Sequence, residues 1–231
     1  MSELRTDKVS SRTGSGTMTL GGASDTIDAS GAGTLTGFGG LKSVQTFTSS
    51  GTWTKPAGVT KVIVEVQGAG GSGVRASTSA KQNSGGGGGY SRKLVDVSSI
   101  STATVTVGAG GAGSTTIDGM GGDGGDSIWS DGTNTLTGSG GAKGTLTDYT
   151  PGLGGTASGG DLNISGGIGG MTSSPIGGSS ILGYGGLRQH HAALVAGCDG
   201  VFGGGGATSR SAGPSRGGNG GDGIVIVWEY A

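Results

Sequence analysis

The sequence predicts an all-β protein: a small β-sandwich-like scaffold with packed polyglycine II helices and long surface loops, and no significant α-helix. Three observations lead there. Glycine supplies 60 of the 231 residues, against an average usage of roughly 7%. Each glycine costs about 0.5–1 kcal/mol in a helix or strand relative to alanine, so a chain this rich in it has a structural use for it. β-branched residues alternate with polar ones in several short runs. Several glycine tracts also read Gly-Gly-x-Gly-Gly, a period of three.

The leader, residues 1–40, places threonine in alternation with Met18, Leu20 and Leu35. It has too few large apolar side chains to close a core, so it is expected to bury its apolar face on copies of itself or on another protein. Next, Val44–Thr48 and Gly51–Thr54 read as a hairpin around Ser49-Ser50, ended by Pro56. Residues 59–67 place Val62, Val64 and Val66 on one face and Ile63 on the other, as in a strand covered on one side and partly on the second. Tyr90–Val97 and Ala103–Val107 are two further alternating strands. Ser127–Trp129 and Thr135–Thr137 flank Asp131-Gly132, a favoured turn pair. The run 224–230, the most apolar in the chain, reads as a central strand. Residues 41–231 are then one glycine-rich β unit, with a polyglycine II-like insertion at about 138–222.

A polyglycine II helix has three residues per turn and makes no internal hydrogen bonds. Two glycines in each turn leave two bare edges, along which neighbours can approach closely and exchange N–H···O bonds. Buried tracts must therefore bond to one another. Collagen, the other period-three structure, is excluded because the Gly-X-Y register never persists and only four prolines are present.

Composition removes several function classes. No apolar run approaches the ~18–20 residues of a membrane span, which predicts no membrane insertion. The start Met1-Ser2-Glu3-Leu4-Arg5 leads into polar residues and predicts no secretory signal. A net charge of −1 gives no electrostatic footprint for nucleic acid. Cys198, the one cysteine, has no partner for an internal disulfide.

The stretch from Gln45 through Trp53, Pro56 and Val59, continuing as Lys61–Gly71, resembles the opening of the glycine-rich domain at the C-terminal ends of many bacteriophage tail fibres. Gly85–Gly89 with Tyr90-Ser91, then Thr104–Gly111, and the closing Gly217–Val227 resemble that domain in the same order. The tracts in 138–222 are similar, more loosely, to tail-fibre adhesin tips with packed polyglycine II helices and receptor-reading loops at one end. The resemblance implies a virion structural protein, a small tail fibre or fibre tip, without catalysis or cofactor. It implies attachment to other virion proteins through the leader, a homotrimer, and a host-surface receptor, either a glycan or an outer-membrane protein. A decoration or connector protein with a purely structural role is the alternative.

Candidate binding residues are Tyr149, Tyr184, Arg188, His190, His191 and Phe202. They lie in the longest loops, where rigid aromatic and cationic side chains suit recognition. The loops expected to meet the host are centred on 145–153, 172–176 and 183–202. His190 and His191 are adjacent, point to opposite faces of an extended chain and make a poor metal pair. Gly121–Trp129 and Gly217–Val225 each fit the calcium nonapeptide pattern Gly-Gly-x-Gly-x-Asp-x-apolar-x, but they are not in tandem. Asp126 and Asp222 are instead expected to close turns ahead of strands, and no metal is assigned. Nucleotide-binding glycine patterns recur, none of them in a strand–turn–helix setting.

Overall fold

The computed structural model describes residues 40–77, 82–147, 150–171, 176–187, 197–210 and 216–231. The expectations for residues 1–39 lie outside these. Among the described residues there is no helix; the chain is all-β. Its strands are β1 (Leu41–Phe47), β2 (Gly51–Thr54), β3 (Lys61–Gln67), β4 (Arg75–Ala76), β5 (Tyr90–Asp96), β6 (Thr102–Thr106), β7 (Ser127–Ser130), β8 (Thr135–Gly138), β9 (Ala157–Ser158), β10 (Leu162–Ile164), β11 (Ser209–Arg210) and β12 (Ile224–Tyr230).

Two antiparallel sheets, in the orders β1-β12-β3-β5-β10 and β2-β6-β7-β8-β9, form a sandwich. Period-two alternation sets the inner faces. Val62, Val64 and Val66 of β3 and Val225 and Val227 of β12 point inward and are fully buried. They meet Trp53, Ala103, Val105, Trp129 and Leu136 from the second sheet. The Trp53 and Trp129 rings lie 6.2 Å apart and tilted by 57°, within the range of favourable aromatic contact. β12 is paired on both sides, by β1 and β3, which is why it carries the longest apolar run. In the β7–β8 connection, the Asp131 carboxylate accepts the N–H groups of Thr133 and Asn134, and Gly132 takes φ 91°, a value open to glycine.

The expected hairpin of residues 44–54 does not form. β1 pairs with β12 in one sheet and β2 with β6 in the other, so Ser49-Ser50 crosses between the layers. Glu229 supplies a reason. This inward-facing carboxylate is fully buried and sits where the two strands face each other. It accepts hydrogen bonds from Ser43 Oγ and Gln45 Nε2 of β1 and from Trp53 Nε1 of β2. Held apart in separate layers, the two strands can both reach it.

Replacing Glu229 with alanine strands the indole N–H of Trp53 and the amide of Gln45 in the interior. Each lost partner costs about 1–3 kcal/mol. Urea unfolding of Glu229→Ala is expected to show a loss of that order per group, and Glu229→Gln, which keeps one acceptor oxygen, a smaller one.

Candidate functional site

Past the sandwich the backbone changes its bonding. The N–H groups of Gly68 and Gly71 donate to Gly89 and Gly86, those of Ala69 and Ser72 to Gly125 and Gly122, and those of Gly70 and Gly73 to Gly221 and Gly218. Every third residue thus addresses the same neighbour. That is the threefold screw of polyglycine II. The carbonyls continue the pattern: Ala69 and Ser72 accept from Gly141 and Gly144, Gly70 from Gly111, and Gly71 from Gly206. Tract 68–73 is therefore enclosed by six others.

Tract 84–89 is enclosed in the same way. It donates to 167–170, 203–206 and 139–142, and accepts from 68–71, 152–155 and 178. Tract 203–207 bonds to both of these and to 178, 186, 198–201 and 218–222. These three tracts form the centre of a hexagonal bundle built from one chain. Its members begin at residue 68, so the array draws on tracts well before 138–222 as well as on those within it.

Glycine is required at the centre for steric reasons. A Cβ built on Gly70 would lie inside the contact radius of the Gly204 carbonyl oxygen, one on Gly86 that of Leu153, and one on Gly88 that of Gly68. All three neighbours are backbone atoms and cannot swing away.

At part of the rim, side chains replace missing neighbours. Asp123 and Asp126, three residues apart, accept the N–H groups of Lys143 and Gly140, each at 2.8 Å. Asn219 and Asp222, also three apart, accept from Gly113 at 2.8 Å and Gly110 at 2.7 Å. Asp126 and Asp222 thus cap tracts across the array instead of closing turns before their strands. An extended glycine tract at an edge presents a bare donor every third residue, and a carboxylate at the same period meets it. The spacings Asp123-x-x-Asp126 and Asn219-x-x-Asp222 were the signal in the sequence. Asp199 adds another cap, accepting from the Asn219 N–H at 2.7 Å and from both terminal nitrogens of Arg216 at 2.8 Å. The Arg216 hydrogen bonds hold its carboxyl below the usual aspartate range. The Lys143 backbone N–H does the same for Asp123. Among the described residues no group of three or more His, Cys, Asp or Glu is placed to hold a metal.

On other rim tracts, 152–156, 166–170, 176–180 and 184–187, the outward side chains are apolar or aromatic: Leu153, Ile168, Ile176, Tyr184 and Leu187, all exposed. These tracts neighbour one another in that order.

The tracts alternate in direction. β3 runs into 68–73, and 84–89 returns to β5. β6 and β7 are joined through 108–113 and 121–125, and β8 leaves through 139–144. The connections after residues 73, 113, 144, 170, 187 and 207 therefore share the end away from the sandwich. There Asn83 Nδ2 donates to the Thr147 carbonyl, and β4 pairs with β11 in parallel.

Of the six candidate binding residues, the described ones are Tyr184 and Phe202, both exposed. Both sit at the sandwich end. The Tyr184 carbonyl accepts from Val201, and the Phe202 carbonyl accepts from Ser180 Oγ. Beside them, the N–H groups of Ile181 and Leu182 donate to the Gln67 side chain at the tip of β3. Tyr149, Arg188, His190 and His191 lie outside the described residues. Their described flanks, Thr147 and Thr150, Leu187 and Gly197, are at the far end.

A β-sandwich whose strands run on into a hexagonal bundle of polyglycine II helices defines an all-β, backbone-packed class of protein. Within it, the chain belongs to the family described as glycine-rich domain, whose model matches residues 42–230. No curated protein matches the sequence.

Two outcomes follow from this geometry. Gly70→Ala should abolish cooperative folding or cost several kcal/mol, whereas Gly122→Ala, whose Cβ would meet its nearest atom at 3.4 Å, should change the melting temperature little. For Asp199 the folded-state pKa is depressed, so its contribution is full above the unfolded value and is lost as pH falls through the folded one. Stability measured by urea titration should decline below about pH 4, and Asp199→Asn should flatten that decline.

Proposed function

We propose that this chain is a bacteriophage virion structural protein, a small tail fibre or fibre tip, that displays loops to a host-surface receptor. The observation that carries the reading is the common end reached by the tract connections. A bundle whose central tracts are tied around their whole circumference by backbone hydrogen bonds is stiff, and it presents several connections side by side on a common footing. Membership of the glycine-rich domain family supports the platform. The sequence resemblance to tail-fibre ends supports the setting. In this reading, residues 1–40 attach the protein to other virion components.

The candidate residues divide accordingly. Tyr149, Arg188, His190 and His191 lie in the sequence between tract ends at the far end and are the proposed contacts. Tyr184 and Phe202 sit at the other end and are not among the proposed contacts. The receptor is a glycan or an outer-membrane protein, and the protein performs no chemistry on it.

The test uses full-length labelled protein on cells of the strain that supports the particle. It should decorate those cells and slow adsorption when added first. Arg188→Ala combined with His190→Ala should weaken decoration at least ~10-fold, the scale of losing one or two hot-spot side chains, while Phe202→Ala leaves it intact. A protein that decorates nothing, with far-end substitutions that leave infectivity unchanged, would favour the decoration role. Release of reducing ends from host polysaccharide would favour an enzyme instead.

A further inference from the structure

The outer face of the β1-β12-β3-β5-β10 sheet is not covered by any described part of the chain. Register places Val44, Ile63, Leu94, Leu162, Trp228 and Tyr230 on it. Leu94 is 54% exposed at its centre. A shallow depression of about 450 Å³ lined by Ile63, Leu94, Tyr230, Lys61, Thr60 and Ala231 opens beside it. An apolar face on a pleated sheet is a docking surface in search of a flat partner.

The charges around it identify the partner. β3 and β5 pair Lys61 with Asp96, Ile63 with Leu94 and Glu65 with Arg92. Four charges therefore stand at the corners of a rectangle with the apolar pair in the middle, and signs alternate around it. Such a pattern is complementary to itself. A two-fold axis in the interface running along the strands lays Lys61 on Asp96 of the other copy, Glu65 on Arg92, and Ile63 on Leu94. An axis running across the strands lays Lys61 on Glu65, Asp96 on Arg92, and each apolar residue on its own counterpart. Either way every charge meets its opposite.

Three of the four corners already have partners within the chain. Glu65 accepts from Tyr90 Oη and Trp228 Nε1 and lies 3.6 Å from Arg92 Nε. Asp96 accepts the Ser98 N–H. Little side-chain ordering remains to be done on association.

We infer that two copies of this chain associate face to face through the outer surface of this sheet, in an isologous contact. Five strands at about 4.8 Å and seven residues at about 3.4 Å make a face of roughly 20 by 24 Å. That is the small end of specific interfaces, below about 1,200 Å² in total, so the dimer is reversible and concentration-dependent.

Sedimentation velocity on the full chain, from about 1 to about 500 µM to bracket micromolar and weaker association, should show a dimer fraction that rises with concentration. Leu94→Asp and, independently, Lys61→Glu should each weaken it at least ~10-fold, with far-ultraviolet dichroism and unfolding midpoint unchanged. Adding Asp96→Lys to Lys61→Glu should restore the dimer if the axis runs along the strands and weaken it further if it runs across them. A monomer at every concentration, a trimer of the kind expected from residues 1–40, or a dimer indifferent to both single substitutions overturns the inference.

Discussion

The structure depends on glycine backbones lying so close together that at most central positions no side chain fits between them. In the central tracts each residue sends its N–H to one neighbour and receives an N–H from another, and the next residue does the same a third of a turn on. Cα hydrogens fill the gaps. A methyl group at Gly70, Gly86 or Gly88 would occupy space held by a carbonyl oxygen. At these positions glycine is the only residue that packs, while Ala69, Ser72, Ser84 and Ala207 occupy the few buried tract positions that admit a small side chain. Its larger entropy loss on folding is offset by amides bonded in several directions at once, which a single loop in water could not achieve.

The sandwich determines where the bundle starts. A strand bonds to neighbours in two directions within its sheet, whereas a polyglycine II helix bonds around its whole circumference, so each strand must hand over to the new geometry. Gln67, fully buried at the end of β3, makes that transition for its strand. Its Nε2 donates to the carbonyls of Gly88 and Gly89, and its Oε1 accepts from Ile181 and Leu182. One amide side chain thus ties the strand end to an outgoing tract, a returning tract and a turn. Ser127 Oγ plays a smaller part of the same kind by accepting the Gly108 N–H. Hydrophobic packing holds the strands, and the strands hold the first residue of each tract in place.

This division explains what the sequence revealed and what it hid. β3, β5 and β12 were legible because period-two burial leaves a pattern in residue type. The Asp131-Gly132 turn was legible because few residues adopt its backbone. The threefold repeat of Gly-Gly-x-Gly-Gly revealed the helix type. The arrangement of the tracts was not legible, because a tract without side chains carries no record of which neighbour it touches. The β1–β2 pairing was misread for a related reason. Two adjacent short strands suggest a hairpin locally, but the contact that separates them comes from Glu229, at the other end of the chain. Asp126 and Asp222 fitted a turn or a calcium pattern because both readings consider only nearby residues, whereas their partners are Gly140 and Gly110 in other tracts.

The same geometry separates what must be conserved in kind from what is free to vary. In a three-residue turn at the rim, most inward positions leave no room for a side chain, while the outward position is limited by solvent and not by packing. That position holds Asp123, Asp126, Asn219 and Asp222 where bare amides need acceptors, and Leu153, Ile168, Ile176 and Leu187 elsewhere, with no change in the tracts beneath. Lengthening a connection between two tract ends at the far end costs little. A scaffold of this kind tolerates change at its rim and far end while its interior stays fixed. That combination is what the display role proposed above would ask of the scaffold.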